Sequence, residues 1–403
     1  MLADVPAILI LIGLAAYSVL AGADFGAGFW QLIGGRRDED REVREFAHHS
    51  MGPVWEANHV WLIFVLVVCW TAYPTAFASI MSTLSIPLFI AAIGIIMRGT
   101  AYALRSGTAD AREQRMVEVA FAGSSILTPF ALGAVVGGIA SGRVPVGNAA
   151  GDRWSSWLNG TSMTLGVLFV ATAAYLAAVY LAADAARLGR TDLERVFRLR
   201  AIAMAVVAGA GAVVGLVVLH HDAPSIFDGL TSGAGLAAVV VSGVAGVATV
   251  VLVVVRRYGW ARVSSATAVA AIIAGWGIAQ WPQLLPGLTI HEAAAGHSTL
   301  VALIVALAIG AVVLAPSLGL LFSLLLRGRF DESEPTKPLA PAASGEREDS
   351  GLLRAAALFG VVGLVTTIVP ESPWGRIVGI PALLAFIAFG FVALARAMAT
   401  SAE

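Results

Sequence analysis

The chain has 403 residues, 58% of them hydrophobic and 13% charged, with a formal net charge of -1 and a mean hydropathy of +0.85. Apolar runs of this number and length exclude a soluble domain and point to a polytopic membrane protein. No basic stripe with interleaved aromatics is present, which argues against a nucleic-acid partner, and a lone Cys69 inside an apolar run leaves neither a disulfide framework nor a cysteine metal site.

A membrane-spanning helix needs about 20 apolar residues. On that ruler the sequence predicts an all-α, polytopic transmembrane helix bundle of about eleven spans, near 6–33, 53–73, 75–104, 117–141, 161–185, 200–220, 233–256, 264–283, 298–326, 353–370 and 376–398. The first has no basic segment before it and no small-residue cleavage site after a short core, so it reads as a retained helix rather than a signal peptide. Tyr73-Pro74 separates the second and third, because proline cannot simply continue a helix. Between 327 and 350 the chain is rich in Pro, Glu and Ser, and reads as a cytoplasmic disordered linker. The organisation expected is therefore a nine-span membrane domain over 1–326, the linker over 327–350, and an extra transmembrane hairpin over 351–403.

Basic residues set the expected orientation. Of the 25, only Arg143, Arg153 and Arg376 fall in loops on one side, and Arg98 lies within a span; the remainder share the other side. Positively charged loops stay in the cytoplasm, so the N-terminus is expected outside and the C-terminus inside.

With that topology, charged residues in the first three spans fall at one depth. Asp24 lies in the inner half of span one, Glu56 and His59 near the inner end of span two, and Arg98 about two turns before the inner end of span three at Arg105. An isolated charge in lipid is expensive, so such residues are expected to satisfy one another or to line a water path. Asp24, Glu56, Asn58 and His59 are candidates for a hydrated proton path from the cytoplasm. Burial would raise a carboxylate's pKa and a neighbouring arginine would lower it. The plainer alternative is structural charge pairing through Arg98 and Arg105 that only ties helices together. For Asp24, set among Gly22, Gly26 and Gly28, both readings stand; for Glu56 the proton role is favoured. His59 is expected to be a hydrogen-bonding helix contact rather than a metal ligand, and Trp55 and Trp61 packing residues or interface anchors. Heme ligation would need a second intramembrane His or Met at the depth of His59. His48 and His49 precede span two, His220 and His221 end span six on the outer side, and His291 and His297 lie in an outer loop, so none matches the depth of His59. No metal site, no catalytic residue and no bound cofactor is therefore expected in this chain.

The segment Gly52-Pro-Val-Trp55-Glu56-Ala-Asn58-His59-Val-Trp61 resembles the Gly/Ala-Pro-x-Trp-Asp/Glu-x-Asn-x-Val-Trp motif of subunit II of the cytochrome bd quinol oxidases. Gly22-Ala-Asp24-Phe-Gly26-Ala-Gly28 is similar to the family's first-helix motif, and Arg98 to Arg105 to its Arg-x6-Arg segment. Gly275-Trp276-Gly-Ile-Ala-Gln280-Trp281-Pro282, followed by Leu288-Thr-Ile290, resembles a late motif of the family, and Gly22 and Gly26 of the first motif and Trp281 of the late one are expected to serve packing. The resemblance covers about 1–326, in the family's order. It implies a nine-helix subunit paired with a heme-carrying subunit I that holds heme b and heme d in a bacterial cytoplasmic membrane. The complex would oxidise quinol and reduce dioxygen to water, as part of a respiratory chain. It leaves open whether lipids or a structural quinone are held. Ala21 stands where many members carry a further acid, Glu56 replaces the commoner Asp, and the 353–398 hairpin is extra, which together suggest an outlying branch with a donor or acceptor of its own. The competing readings are an ion-coupled secondary transporter and a structural partner of a bd-like complex with another acceptor. Transporters usually show paired, interrupted helices in corresponding halves, whereas here the charged residues cluster in the first three spans with no counterpart later, which disfavours the transporter reading.

Overall fold

A computed structural model of the chain describes residues 2–33, 42–47, 55–104 and 111–326, with isolated positions between 355 and 389. The side chains of 55–57, 102–104, 111–118, 315, 318 and 321–326 fall outside that description. The chain divides into two compact units, Met1–Glu334 and Pro335–Glu403. The proposed linker over 327–350 and most of the proposed hairpin over 351–403 lie outside the described residues. Within the second unit, the rings of Phe359 and Phe389 stack with centroids 5.5 Å apart.

The first unit is a helix bundle. Its elements are α1 (Asp4–Ile33), α2 (Trp55–Ala72), α3 (Pro74–Thr83), α4 (Ser85–Leu104), α5 (Ala111–Ala140) and α6 (Gly160–Arg187), then α7 (Thr191–Asp222), α8 (Pro224–Thr231), α9 (Gly233–Val254) and α10 (Tyr258–Gln280). A small antiparallel hairpin follows, β1 (Gln283–Leu285) with β2 (Leu288–Thr289), then α11 (Ile290–Ala293) and α12 (His297–Leu326). Seven described helices are long and apolar enough to cross a membrane, eight if the bent α3–α4 pair counts as one span, while the apolar part of α2, Asn58–Ala72, is shorter. Each of the nine spans expected within 1–326 thus coincides with a helix or with that bent pair.

The third expected span, 75–104, is not one straight helix. It breaks between Thr83 and Ser85 with an 83° bend. Pro87 explains the position: it has no N–H for the Thr83 carbonyl, and its ring would clash with that carbonyl in a straight helix. The chain repairs the next bond, from Leu88 N to Leu84 O at 3.1 Å. The detached α3 then presents hydroxyls at helical spacing to the 141–159 loop. Ser79, Ser82 and Thr83 accept from the backbone N–H groups of Gly147 (3.0 Å), Ala149 (2.8 Å) and Gly151 (3.4 Å).

Contacts fix which helix ends lie together. Tyr73 donates its hydroxyl to the Ala3 carbonyl, and His291 Nε2 lies 3.3 Å from Asp4 Oδ1. Beneath them, Tyr73, Leu84, Val144, Trp157, Leu285 and Ile290 form a buried apolar cluster. Arg143 pairs with Asp222 at this end (2.6 Å), where the same carboxylate accepts from the Thr161 hydroxyl (2.6 Å). At the opposite end a short helix at 42–47 packs Val43 and Ala47 into a cluster with Trp30, Leu193, Phe197 and Tyr258. Glu42 there pairs with Arg190. These are referred to below as the Asp4 end and the Ile33 end.

Three helices stop with the same hydrogen-bond pattern, in which the two residues after the cap donate back into the last turn. The pairs are Gly142-Arg143 after α5, Gly189-Arg190 after α6 and Arg256-Arg257 after α9. The first residue of each pair is left-handed, with φ of 68°, 69° and 60°. Glycine accepts that conformation freely, whereas at Arg256 it costs roughly 1–2 kcal/mol.

Candidate functional site

The centre of the bundle is held by very close packing of α1 on α5 and α6. A Cβ at Gly26 would lie 1.9 Å from the Ala173 carbonyl oxygen of α6, and one at Gly28 2.0 Å from Ser125 Oγ of α5. Only hydrogen fits at either place. Gly22, one turn before Gly26, is looser, with Leu176 Cδ1 at 3.3 Å. Trp30, a turn after Gly26, donates its indole N–H to the Ala174 carbonyl at 2.8 Å.

Beside this contact the structure brings Asp24 and Arg98 together. Arg98 donates Nε to Asp24 Oδ2 (3.0 Å) and Nη2 to Asp24 Oδ1 (2.7 Å), a bidentate pair. Its Nη2 also reaches the Asp24 backbone carbonyl (2.8 Å), and its Nη1 the Ser125 hydroxyl (2.8 Å). Ser125 passes the chain on to the Phe121 carbonyl at 2.8 Å. Four of the five guanidinium N–H groups are thus accounted for. The plane is flanked by aromatic faces, with Phe121 4.2 Å and Phe25 4.9 Å from Cζ. Arg98 is 0% and Asp24 1% exposed, so both charges are fully withdrawn from solvent. Such a pair is stable only when its geometry is good and its spare donors are satisfied. Here the geometry is bidentate and four of the five donors are met.

His59 lies in the same layer on α2. Its ring meets Tyr17 (6.1 Å) and Phe25 (5.9 Å) edge to face. Asn58 is buried and donates its side-chain amide to the Leu20 carbonyl at 3.2 Å, tying α2 to α1. Trp61 packs against the cluster of Tyr17, Ala21, Phe25 and Ala173. Among the described residues no group of three or more His, Cys, Asp or Glu could hold a metal ion. Glu56 and Trp55 belong to the first turn of α2, but their side chains are outside the described residues, as is Arg105 altogether. Trp281 stands 47% exposed on this chain. The reason is local: α10 stops at Gln280, Trp281 is its C-cap, and the chain turns there into the β-hairpin.

The contribution of α5 was not expected. Phe121, Ser125 and Thr128 put an aromatic ring and two hydroxyls on the face that meets α1 and α4, and Gly94 of α4 leaves room only for Thr128 Oγ1, 2.2 Å from where its Cβ would be. The available signal was Ser124-Ser125 and Thr128 in an otherwise apolar run.

The order of these elements is matched by known proteins. A family model described as cytochrome bd terminal oxidase subunit II matches residues 2–325. The chain belongs to that family. Among curated relatives, it is 28% identical over 126 residues to cytochrome bd ubiquinol oxidase subunit 2 of Bacillus subtilis (31% of this chain, 36% of that one). It is 25% identical over 129 residues to cytochrome bd-I ubiquinol oxidase subunit 2 of Escherichia coli K12 (32% and 33%). The matched stretch thus spans about a third of each of these relatives. A chain in the structure of bd oxidase from Geobacillus thermodenitrificans superposes with a TM-score of 0.68 at 27% identity, covering 81% of this chain and 99% of that one. The bd-oxidase resemblance seen in the sequence motifs therefore holds, and the helix bundle is that of a subunit II.

Proposed function

We propose that the chain is the heme-free subunit II of a cytochrome bd-type oxidase, seated in a bacterial cytoplasmic membrane beside a heme-carrying subunit I. The complex couples oxidation of a quinol to reduction of dioxygen to water. The observation that supports this best is the likeness to a bd-oxidase chain over 99% of that chain, together with the family match over 2–325. In this reading the Ile33 end faces the cytoplasm, in line with the arginine-rich loops at that end. Hemes b and d supply the electron transfer and oxygen chemistry from the partner. Subunit II holds the assembly and brings protons in from the Ile33 side.

Within that role the buried residues divide the work. Both carboxylate oxygens of Asp24 accept from Arg98, which supports a structural charge pair locking α1 to α4. Glu56, in the first turn of α2, is the proposed proton carrier, with His59 three residues further on in the aromatic layer. Glu56→Gln is expected to slow quinol-driven oxygen consumption by at least about tenfold, 1.4 kcal/mol on the barrier, while the partner's heme spectrum stays intact. Oxygen uptake equal to wild type would remove Glu56 from the path.

The assignment itself is tested by tagging the chain, purifying it from native membranes and recording a reduced-minus-oxidised spectrum. Co-purified b- and d-type bands are the expected result. Heme b without heme d would indicate a branch with another acceptor. A heme-free eluate from an intact, well-expressed complex would overturn the oxidase reading.

A further inference from the structure

Of the three helix ends that share one hydrogen-bond pattern, two place glycine at the left-handed position and the third places Arg256 there. The strain is therefore avoidable, and the guanidinium must be asked what it gains. Within the chain it gains little. Among the described residues, the Arg256 side chain approaches Glu194 at 3.7 Å between Nε and Oε1 and is 62% exposed. Glu194 is already served, since it accepts from the Tyr258 hydroxyl and faces Arg198 at 3.9 Å. Arg257, the next residue, is exposed too.

The surroundings are those of a membrane surface. Trp260, one turn into α10, is 69% exposed beside the two arginines. Immediately above them α9 and its C-cap residue turn a row of bare valines outward: Val255 at the cap, then Val251, Val247 and Val244. At Gly243 and Gly246 a Cβ would meet nothing within 4 Å. Cationic heads, an exposed indole and a bare aliphatic helix face thus follow one another along the bundle's side. That sequence matches an anionic phospholipid from headgroup to acyl chain.

We propose that the Arg256-Arg257 turn is a binding site for the phosphodiester headgroup of an anionic phospholipid, with Trp260 at headgroup depth and the acyl chains along α9. The left-handed turn keeps two adjacent, exposed arginines at this helix end, where both are available to one phosphate. A soluble anion would make no use of the valine face or the indole. The inference needs only that the bundle sits in a bilayer, and it stands or falls separately from the oxidase reading.

The test uses the full-length chain with whatever partner it retains, delipidated in zwitterionic detergent. Its thermal unfolding midpoint is followed while phosphatidylglycerol, phosphatidylcholine or sodium phosphate is added. Phosphatidylglycerol is expected to raise the midpoint saturably, and the other two are not. Arg256→Gly, which also relieves the backbone, should shift the half-saturating concentration about fivefold upward, and Arg256→Gly with Arg257→Gln about 25-fold. Should the glycine variant fold poorly, Arg257→Gln alone carries the test with its own roughly fivefold shift. Saturation at the wild-type concentration in the variants, an equal response to phosphatidylcholine, or a phosphate response that reproduces the lipid's would each overturn the proposal.

Discussion

Arg98→Leu is expected to cut the yield of folded, membrane-inserted chain by tenfold or more. The substitution leaves the Asp24 carboxylate with no partner on either oxygen, frees the Asp24 carbonyl and Ser125 hydroxyl, and opens the slot between Phe25 and Phe121. Breaking a buried pair from one side costs about 3–5 kcal/mol, because the remaining charge is stranded. Removing both charges should cost much less, so Asp24→Asn combined with Arg98→Leu is expected to recover a good part of the yield. The measurement is monodisperse, detergent-extracted protein per cell for the single and double variants. Wild-type yield from the single variant would show that the pair is hydrated rather than buried. A double variant no better than the single would show that Arg98 acts through its aromatic and serine contacts instead of its charge.

Gly26→Ala is the second large effect. The added methyl would lie 1.9 Å from the Ala173 oxygen and 2.7 Å from the Ala177 Cβ. The first neighbour is backbone and cannot rotate away. The two helices must part, and the Asp24–Arg98 geometry lies two residues along the same helix. Overpacking of this kind typically costs about 1–3 kcal/mol. Gly22→Ala is the internal control, since its contact at 3.3 Å is with the tip of a leucine that can shift. Unfolding midpoints of the two variants in the same detergent decide the matter. Equal losses would mean that the close approach of α1 and α6 is not limiting.

The span positions could be read from the sequence because hydropathy reports directly on burial in lipid, and all nine expected within 1–326 fall on helices. The meeting of Asp24 with Arg98 could also be read, since alternating span direction places both near the same end. What escaped was set by tertiary contact. Pro87 lies in an apolar run whose composition reads as one span, and only the geometry shows that the chain uses it to turn through 83°. Ser125 became part of the site because Gly28 lets α5 come within reach, a coincidence of two helices that no single-segment pattern encodes. The exposure of Trp281 was likewise hidden, because the helix ends one residue earlier, at Gln280. The Arg256 turn was unreadable for a similar reason, as φ at a helix end is not visible in residue type.

The apolar cluster under Tyr73 and the loop laced to α3 have an electrical consequence. Asp24 is nine residues from Ile33 and twenty from Asp4 on α1, roughly 14 and 30 Å at 1.5 Å per residue. A transmembrane voltage falls mainly across the part of a protein that excludes water and mobile ions, and a full crossing is worth about 2.3 kcal/mol per charge per 100 mV. The loop-sealed side between Asp24 and the Asp4 end is the longer portion. Most of the field should therefore drop there, and a proton reaching the depth of Asp24 from the Ile33 side would do little work against the membrane potential.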